Sequence, residues 1–152
     1  MINSSEFSEQ TFQQQAKKDG ITHISTGVAV INDKKILMVR RQPNDYLGGV
    51  YELPGGGVDT GETIVEGASR ELLEETGLVI SKVISTFDGF DYTTDQKPHV
   101  RQVNLLAETK STKVKLNFEH DDFIWVDENN LNNLNMTDNM RKCLINALQI
   151  IK

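Results

Sequence analysis

A Pro followed by three glycines interrupts this chain about a third of the way along, and no helix can cross the segment Pro54-Gly55-Gly56-Gly57. Whatever precedes it must end there, so Val50 to Leu53 reads as a short strand stopped by the break. A helix begins soon after. The Thr63 hydroxyl can cap it, Glu66 stands where a capping box needs it, and Gly77 supplies the stop, which predicts a helix over 64–76. A strand, a glycine turn and a capped helix in that order bring backbone free of side chains against one end of a helix.

Around this unit the pattern is mostly β. The run from Ile21 to Ile31 is rich in β-branched residues, Asn32 to Lys35 make a turn, and Ile36 to Gln42 returns, with Arg40 and Arg41 ending the second strand of a hairpin. Leu78 to Thr94 and His99 to Lys110 read as two strands joined across Thr93 to Pro98, with further strands at 114–116 and 123–126. Thr137 caps a last helix whose Met140, Cys143, Leu144, Ala147, Leu148 and Ile151 form one apolar stripe. Strands mixed with a middle and a closing helix predict an α/β or α+β fold, an α/β/α sandwich about a mixed central sheet. Residues 1–19, polar except for residues such as Phe7 and Phe12, are an extension, and 20–152 form a single domain.

Composition narrows the class of function. The 152 residues are 38% apolar and 25% charged, ordinary for a globular domain, and no apolar run is long enough to span a membrane. The start lacks the basic and apolar blocks of a secretory signal, so a cytoplasmic protein is expected. One cysteine, Cys143, makes no internal disulfide and reads as a small core residue. A net charge of -6 disfavours nucleic acid polymers and anionic membranes as partners, so any anionic substrate needs a local source of positive charge.

The chemistry is concentrated on the middle helix. Glu71, Glu74 and Glu75 are spaced i, i+3 and i+4 and so share one arc, beside the apolar arc of Ile64, Val65, Ala68 and Leu72. Like charges crowded at the edge of a core repel one another and resist desolvation, and a cation relieves both costs. Hard ions such as Mg²⁺ take oxygen ligands from carboxylates and substrate phosphates, which suits a cluster that needs neither His nor Cys. Three glutamates alone are also explained by a solvated acidic face, and three glycines alone by a turn.

The whole array is more specific. From Gly56 the chain reads Gly, five residues, Glu62, seven residues, Arg70-Glu71, aliphatic Leu72, one residue, Glu74-Glu75, one residue, Gly77 and aliphatic Leu78. With each fixed type at about one in fifteen, a chance match at seven positions is on the order of one in 10⁸. This segment resembles the full signature of the Nudix hydrolases, and YELPGG before it resembles the usual entry to that box, with Tyr51 where Trp is common. The resemblance implies a mixed sheet between helices and hydrolysis of a nucleoside diphosphate linked to another moiety, with Mg²⁺ as cofactor and Mn²⁺ able to substitute. It implies Glu71, Glu74, Glu75 and the Gly55 carbonyl as metal ligands, Arg70 as the residue orienting the first glutamate, and Glu62 and Gly56 as support for metal, loop or substrate. A further carboxylate is expected from the loop before the FIWV strand, with Glu119 first and Asp121 second. Glu71 or Glu119 would accept the proton of the attacking water.

The remaining polar and aromatic side chains are read more plainly. Arg40 and Arg41 can reach phosphates as substrate-binding residues, or be solvated strand ends. His23, His99 and His120 read as structural or surface groups, with His120 set apart by its neighbour Glu119; Trp125 reads as core. Tyr46, Phe87, Phe90 and Tyr92 are candidate walls for a base or sugar. In the family, enzymes for ADP-ribose and dinucleoside polyphosphates carry a Pro or Tyr at a set distance beyond the box, where this chain has Thr94; those for NADH carry a Pro-rich array that is absent here. A nucleoside triphosphate, including oxidised ones as in MutT-type enzymes, is therefore the expected substrate. The alternatives are a catalytically silent nucleotide-sensing module with the same fold and an acidic helical interaction surface. The extension can cap the sheet or exchange with a second copy in a homodimer.

Overall fold

The computed structural model describes residues 8–152, so Phe7 lies outside the described residues. Its elements are α1 (Glu9–Lys18), β1 (His23–Asn32), β2 (Lys35–Arg41), β3 (Tyr51–Glu52), β4 (Gly55–Gly57), α2 (Ile64–Thr76), β5 (Ile80–Tyr92), β6 (Val100–Thr109), β7 (His120–Val126), a 3₁₀ turn at Leu131–Asn133, and α3 (Asp138–Ile150).

β1 is the spine of a mixed sheet. It runs parallel to β6 from His23↔Val100 to Val30↔Ala107, while its other edge pairs with β4 and, at its end, turns into β2. That turn places Asp33 and Lys34 at φ 51° and 60°, the left-handed pair that a two-residue hairpin requires. β2 then pairs antiparallel with both β3 and β7, and β5 covers β6.

The apolar runs in β1, β2 and β6 are continuous because both faces of the sheet are covered. Val28, Val30, Leu37, Leu105 and Ala107 point to one side and pack on Ala68 and Leu72 of α2. Ala29, Ile36, Met38 and Leu106 point to the other and pack on Met140, Leu144, Ala147 and Leu148 of α3. The two-residue period of the strands thus divides the core into two layers, giving the α/β/α sandwich. Cys143 is buried, with the Asn104 amide 3.2 Å from its sulfur. Trp125 packs against the α2 layer.

Both long helices carry the caps expected of them. Thr63 accepts from the Glu66 amide while the Glu66 carboxylate accepts from the Thr63 amide, and Gly77 ends α2 in the left-handed region. Thr137 accepts from the Met140 amide to start α3.

Three local expectations, at the glycines, at 114–116 and at Ile151, differ from what is observed, and the extension, for which no element was expected, holds one. The triple glycine is a strand, β4, because a backbone without Cβ atoms can press against Ser25–Gly27; a Cβ on Gly55 would lie 2.0 Å from the Thr26 carbonyl oxygen. Residues 114–116 form no strand. Their backbone instead satisfies the open end of α2, with Lys115 donating to the Thr76 carbonyl and Asn117 to that of Glu75. The described part of the extension is helical, capped by Ser8 and closed by Lys17 and Lys18. Ile151 caps α3 and is not part of it.

α1 is joined to the rest. It buries Ala16, its Glu9 Oε1 accepts from the Ile64 amide at 2.6 Å, and Asp19 just beyond it pairs with Arg101 at 2.9 Å. Among the described residues no helix is long and apolar enough to cross a membrane.

Candidate active site

The site lies where β4 crosses the end of α2. Gly56 has no Cβ, and the Glu71 carboxyl occupies the space one would need; a Cβ there would lie 2.5 Å from Glu71 Cδ. One residue earlier, the Gly55 amide donates to Glu75 Oε2 at 3.2 Å. The glycines therefore let two glutamates of one helix lie against the neighbouring backbone.

Arg70 organises the cluster. Its Nε and Nη2 donate to the two oxygens of Glu62 at 2.8 and 2.9 Å, Nη2 also donates to the Gly57 carbonyl, and Nη1 donates to Glu71 Oε1 at 3.0 Å. A planar fork suits this task because it reaches several acceptors from one rigid group. These bonds hold Glu62 down at about 2, well below an ordinary carboxylate. Glu71 moves the other way, raised by burial against the opposing pull of Arg70, with Glu74 and Glu119 adding to the rise.

Glu75 is the most confined of the acids, 1% exposed. Burial, and then the facing Glu119, Glu52 and Glu71, push it up to about 9. Glu74 is 53% exposed along its side chain and lies 3.6 Å from Arg70. Glu119 arrives from the loop before β7. Its amide is tied to Asn117 Oδ1, and the Asn117 amide is tied in turn to the end of α2.

The structure brings Gly55, Gly56, Glu62, Arg70, Glu71, Glu74, Glu75 and Glu119 into this one region. Asp121, the second candidate for the late carboxylate, lies apart in an ion pair with Arg40 at 2.7 Å. Arg40 also lies 5.9 Å above the Tyr51 ring, whose hydroxyl donates to Asp122 at 2.7 Å. Arg41 points into a cleft, where it donates to the Tyr46 carbonyl, Asp45 and Glu52. That cleft has a volume of about 400 Å³ and shares Glu52 with the acid cluster; Tyr46, Phe90, Tyr92 and Lys97 also line it. Phe87 is not among its walls and packs against the α3 layer.

Two residues of the site were not legible as such. His120 is buried, its Nε2 2.9 Å from Glu52 Oε2 and its Nδ1 3.7 Å from Glu75 Oε1, which makes it part of the acid cluster. Glu52 links that histidine to Arg41. The available signal was a single charge inside the apolar strand VYEL immediately before the glycine break, and a histidine directly after the candidate Glu119.

The donors facing one another include several carboxylate oxygens, and the burial and like-charge crowding that drive Glu75 upward are costs that a divalent cation relieves. The ligand atoms of Glu75, Glu119 and His120 lie within 4.8 Å of one another. By donor chemistry and by confinement, the residues present fit a divalent metal.

Known proteins resemble this chain in sequence and in fold. The family model described as the NUDIX domain matches residues 21–147. An ADP-ribose pyrophosphatase of Methanocaldococcus jannaschii is 32% identical over 101 residues, covering 65% of this chain and 58% of that protein. Nudix hydrolase 25 of Arabidopsis thaliana is 35% identical over 83 residues, covering 54% and 46%. The chain thus spans about half the length of these curated relatives. The crystal structure of a MutT protein from Methanosarcina mazei Go1 superposes with a TM-score of 0.73 at 25% identity, covering 86% of this chain and 95% of that one.

Proposed function

The chain belongs to the NUDIX family, and from that premise we propose that it is a hydrolase of phosphoric anhydride bonds, with Mg²⁺ as cofactor and Mn²⁺ able to replace it. The observation that carries the proposal is the convergence of Glu71, Glu75 and Glu119 beside the Gly55–Gly57 backbone, joined through His120 and Glu52 to a cleft of about 400 Å³. Glu71, Glu74, Glu75 and Glu119 are the residues that would hold the metal, with the Gly55 carbonyl as a further donor. When bound, the metal supplies positive charge for the diphosphate and lowers the pKa of water.

The chain's own residues do the rest. Arg70, anchored on Glu62 and the Gly57 carbonyl, fixes the Glu71 carboxylate in place. Glu71 and Glu119 are the carboxylates available to take the proton of the attacking water, and burial raises Glu71 in the direction a general base needs near neutral pH. The aromatic walls Tyr46, Phe90 and Tyr92 suit a base or sugar, and Arg41 and Lys97 bring positive charge to the same cleft. These features, with a relative named an ADP-ribose pyrophosphatase, support a nucleotide substrate, and we assign a nucleoside triphosphate or related nucleoside diphosphate derivative.

The test is a screen of purified protein with Mg²⁺ or Mn²⁺ against nucleoside triphosphates, oxidised nucleotides, ADP-ribose and dinucleoside polyphosphates. Release of a nucleoside monophosphate, phosphate or pyrophosphate, abolished by chelation, is the expected result. Absence of every such product across the panel overturns the proposal.

A further inference from the structure

His120 is 3% exposed, and its two ring nitrogens meet different surroundings. Nε2 lies 2.9 Å from Glu52 Oε2, and the Glu52 carboxylate also accepts from Arg41. An ionised carboxylate offers only acceptors, so Nε2 must carry the hydrogen and donate. In the neutral ring that tautomer leaves a bare lone pair on Nδ1. Nδ1 is buried and has no hydrogen-bond partner among the described residues. It faces Glu75 Oε1 at 3.7 Å, too far for a hydrogen bond even to a protonated carboxyl.

An unpartnered buried acceptor aimed at carboxylates is costly unless something positive lies between them. The arrangement on its far side is the one that prepares a histidine for a metal. A ligating imidazole almost always donates its other N–H to a carboxylate, which fixes the tautomer and strengthens the donor. Glu52 is that carboxylate here, itself held by Arg41 at 3.2 Å. Glu119, which is exposed, leaves the cluster open to solvent, so an ion has a way in.

We propose that His120 Nδ1 is a nitrogen ligand of a divalent cation shared with Glu75 and Glu119. Mn²⁺ serves as the probe because it is paramagnetic and, unlike Mg²⁺, which favours all-oxygen surroundings, accepts an imidazole nitrogen beside carboxylates. The inference rests on the metal-dependent reading of the site given above, but it is tested by binding alone.

The experiment is Mn²⁺ titrated into the metal-free full chain and followed by electron spin-echo envelope modulation, which detects ¹⁴N directly bound to Mn²⁺. Wild-type protein is expected to show ¹⁴N modulation that disappears when histidine is supplied as ¹⁵N, and His120→Gln is expected to bind Mn²⁺ without it. Glu52→Gln keeps the nitrogen signal and weakens Mn²⁺ binding by about ten-fold or more, the usual effect of losing such a carboxylate. Bound Mn²⁺ with no ¹⁴N modulation in the wild type overturns the inference, and so does modulation that survives in His120→Gln or a wild type that binds no Mn²⁺. The wild-type spectrum decides the matter even if His120→Gln fails to fold. Turnover on diphosphates with an all-oxygen Mn²⁺ spectrum defeats the nitrogen ligand and leaves the proposed hydrolase standing. A nitrogen-ligated ion without turnover does the reverse.

Discussion

Glu75 sits in a place that favours its neutral form. Its folded value of about 9 lies far above the ordinary 4.5, so between those limits the folded state keeps a proton that the unfolded chain has released. Stability therefore falls as pH rises through that window, because the native state is the one binding more protons. In metal-free protein, chemical denaturation at pH 5, 7 and 9 should show Glu75→Gln gaining on wild type as pH increases, while its turnover drops by several orders of magnitude with the fold retained. A pH-independent gap between the two would show that Glu75 does not titrate differently on folding. Glu62 has the opposite sign: the stabilisation it draws from Arg70 is present above 4.5 and is lost as pH falls through about 2. Arg70 itself reaches Glu62, Glu71 and the Gly57 carbonyl together, which a lysine ammonium cannot do. Arg70→Lys should lower kcat by about 10²-fold, the scale of a small misplacement of a reacting group, with little change in thermal stability. Steady-state kinetics beside a melting curve distinguishes this from general unfolding.

At the level of single elements, α2 and β4 act as a pair. Gly56→Ala places a methyl where the Glu71 carboxyl lies, so the carboxyl must move away from β4 and strain its 3.0 Å bond to Arg70. The expected outcome is a folded protein with weakened Mn²⁺ binding and low turnover, read by circular dichroism and metal titration; unchanged binding would separate Gly56 from the metal site. Thr63→Ala removes one half of the capping box and should cost about 1 kcal/mol, measured by urea denaturation. Local signals made α2 readable from one end to the other, since Thr63, Glu66 and Gly77 each act within a turn of the helix they bound. The same holds for the hairpin at Asp33-Lys34 and for α3. Residues 114–116 misled because Val114 and Leu116 alternate like a strand, yet the amides of Lys115 and Asn117 go to the end of α2, a partner distant in sequence. The Gly-rich β4 gave no strand signal, since it is strand only through its pairing with β1. The acid cluster was legible where its members share one helix; Glu52 and His120 come from β3 and β7, and only the tertiary fold brings them together.

For the molecule as a whole, α1 is a brace on the domain. Glu9 supplies an acceptor to the first turn of α2, Asp19 pairs with Arg101 on β6, and Ala16 is buried. Removing residues 1–19 should lower Tm by roughly 2–8 °C, the shift that a loss of one to two kcal/mol produces in a domain of this size. An unchanged Tm in differential scanning calorimetry would mean that α1 only rests on the surface. The spine of the sheet has a different consequence, for synthesis. β1 is completed by β6, so His23 has no parallel partner until Val100 is made. At roughly 5–20 residues per second the ribosome takes on the order of 4–15 s to deliver it. For that interval the nascent chain carries a β-branched edge with unpaired amides, which makes slow translation between the two strands a period of exposure to aggregation and to chaperones.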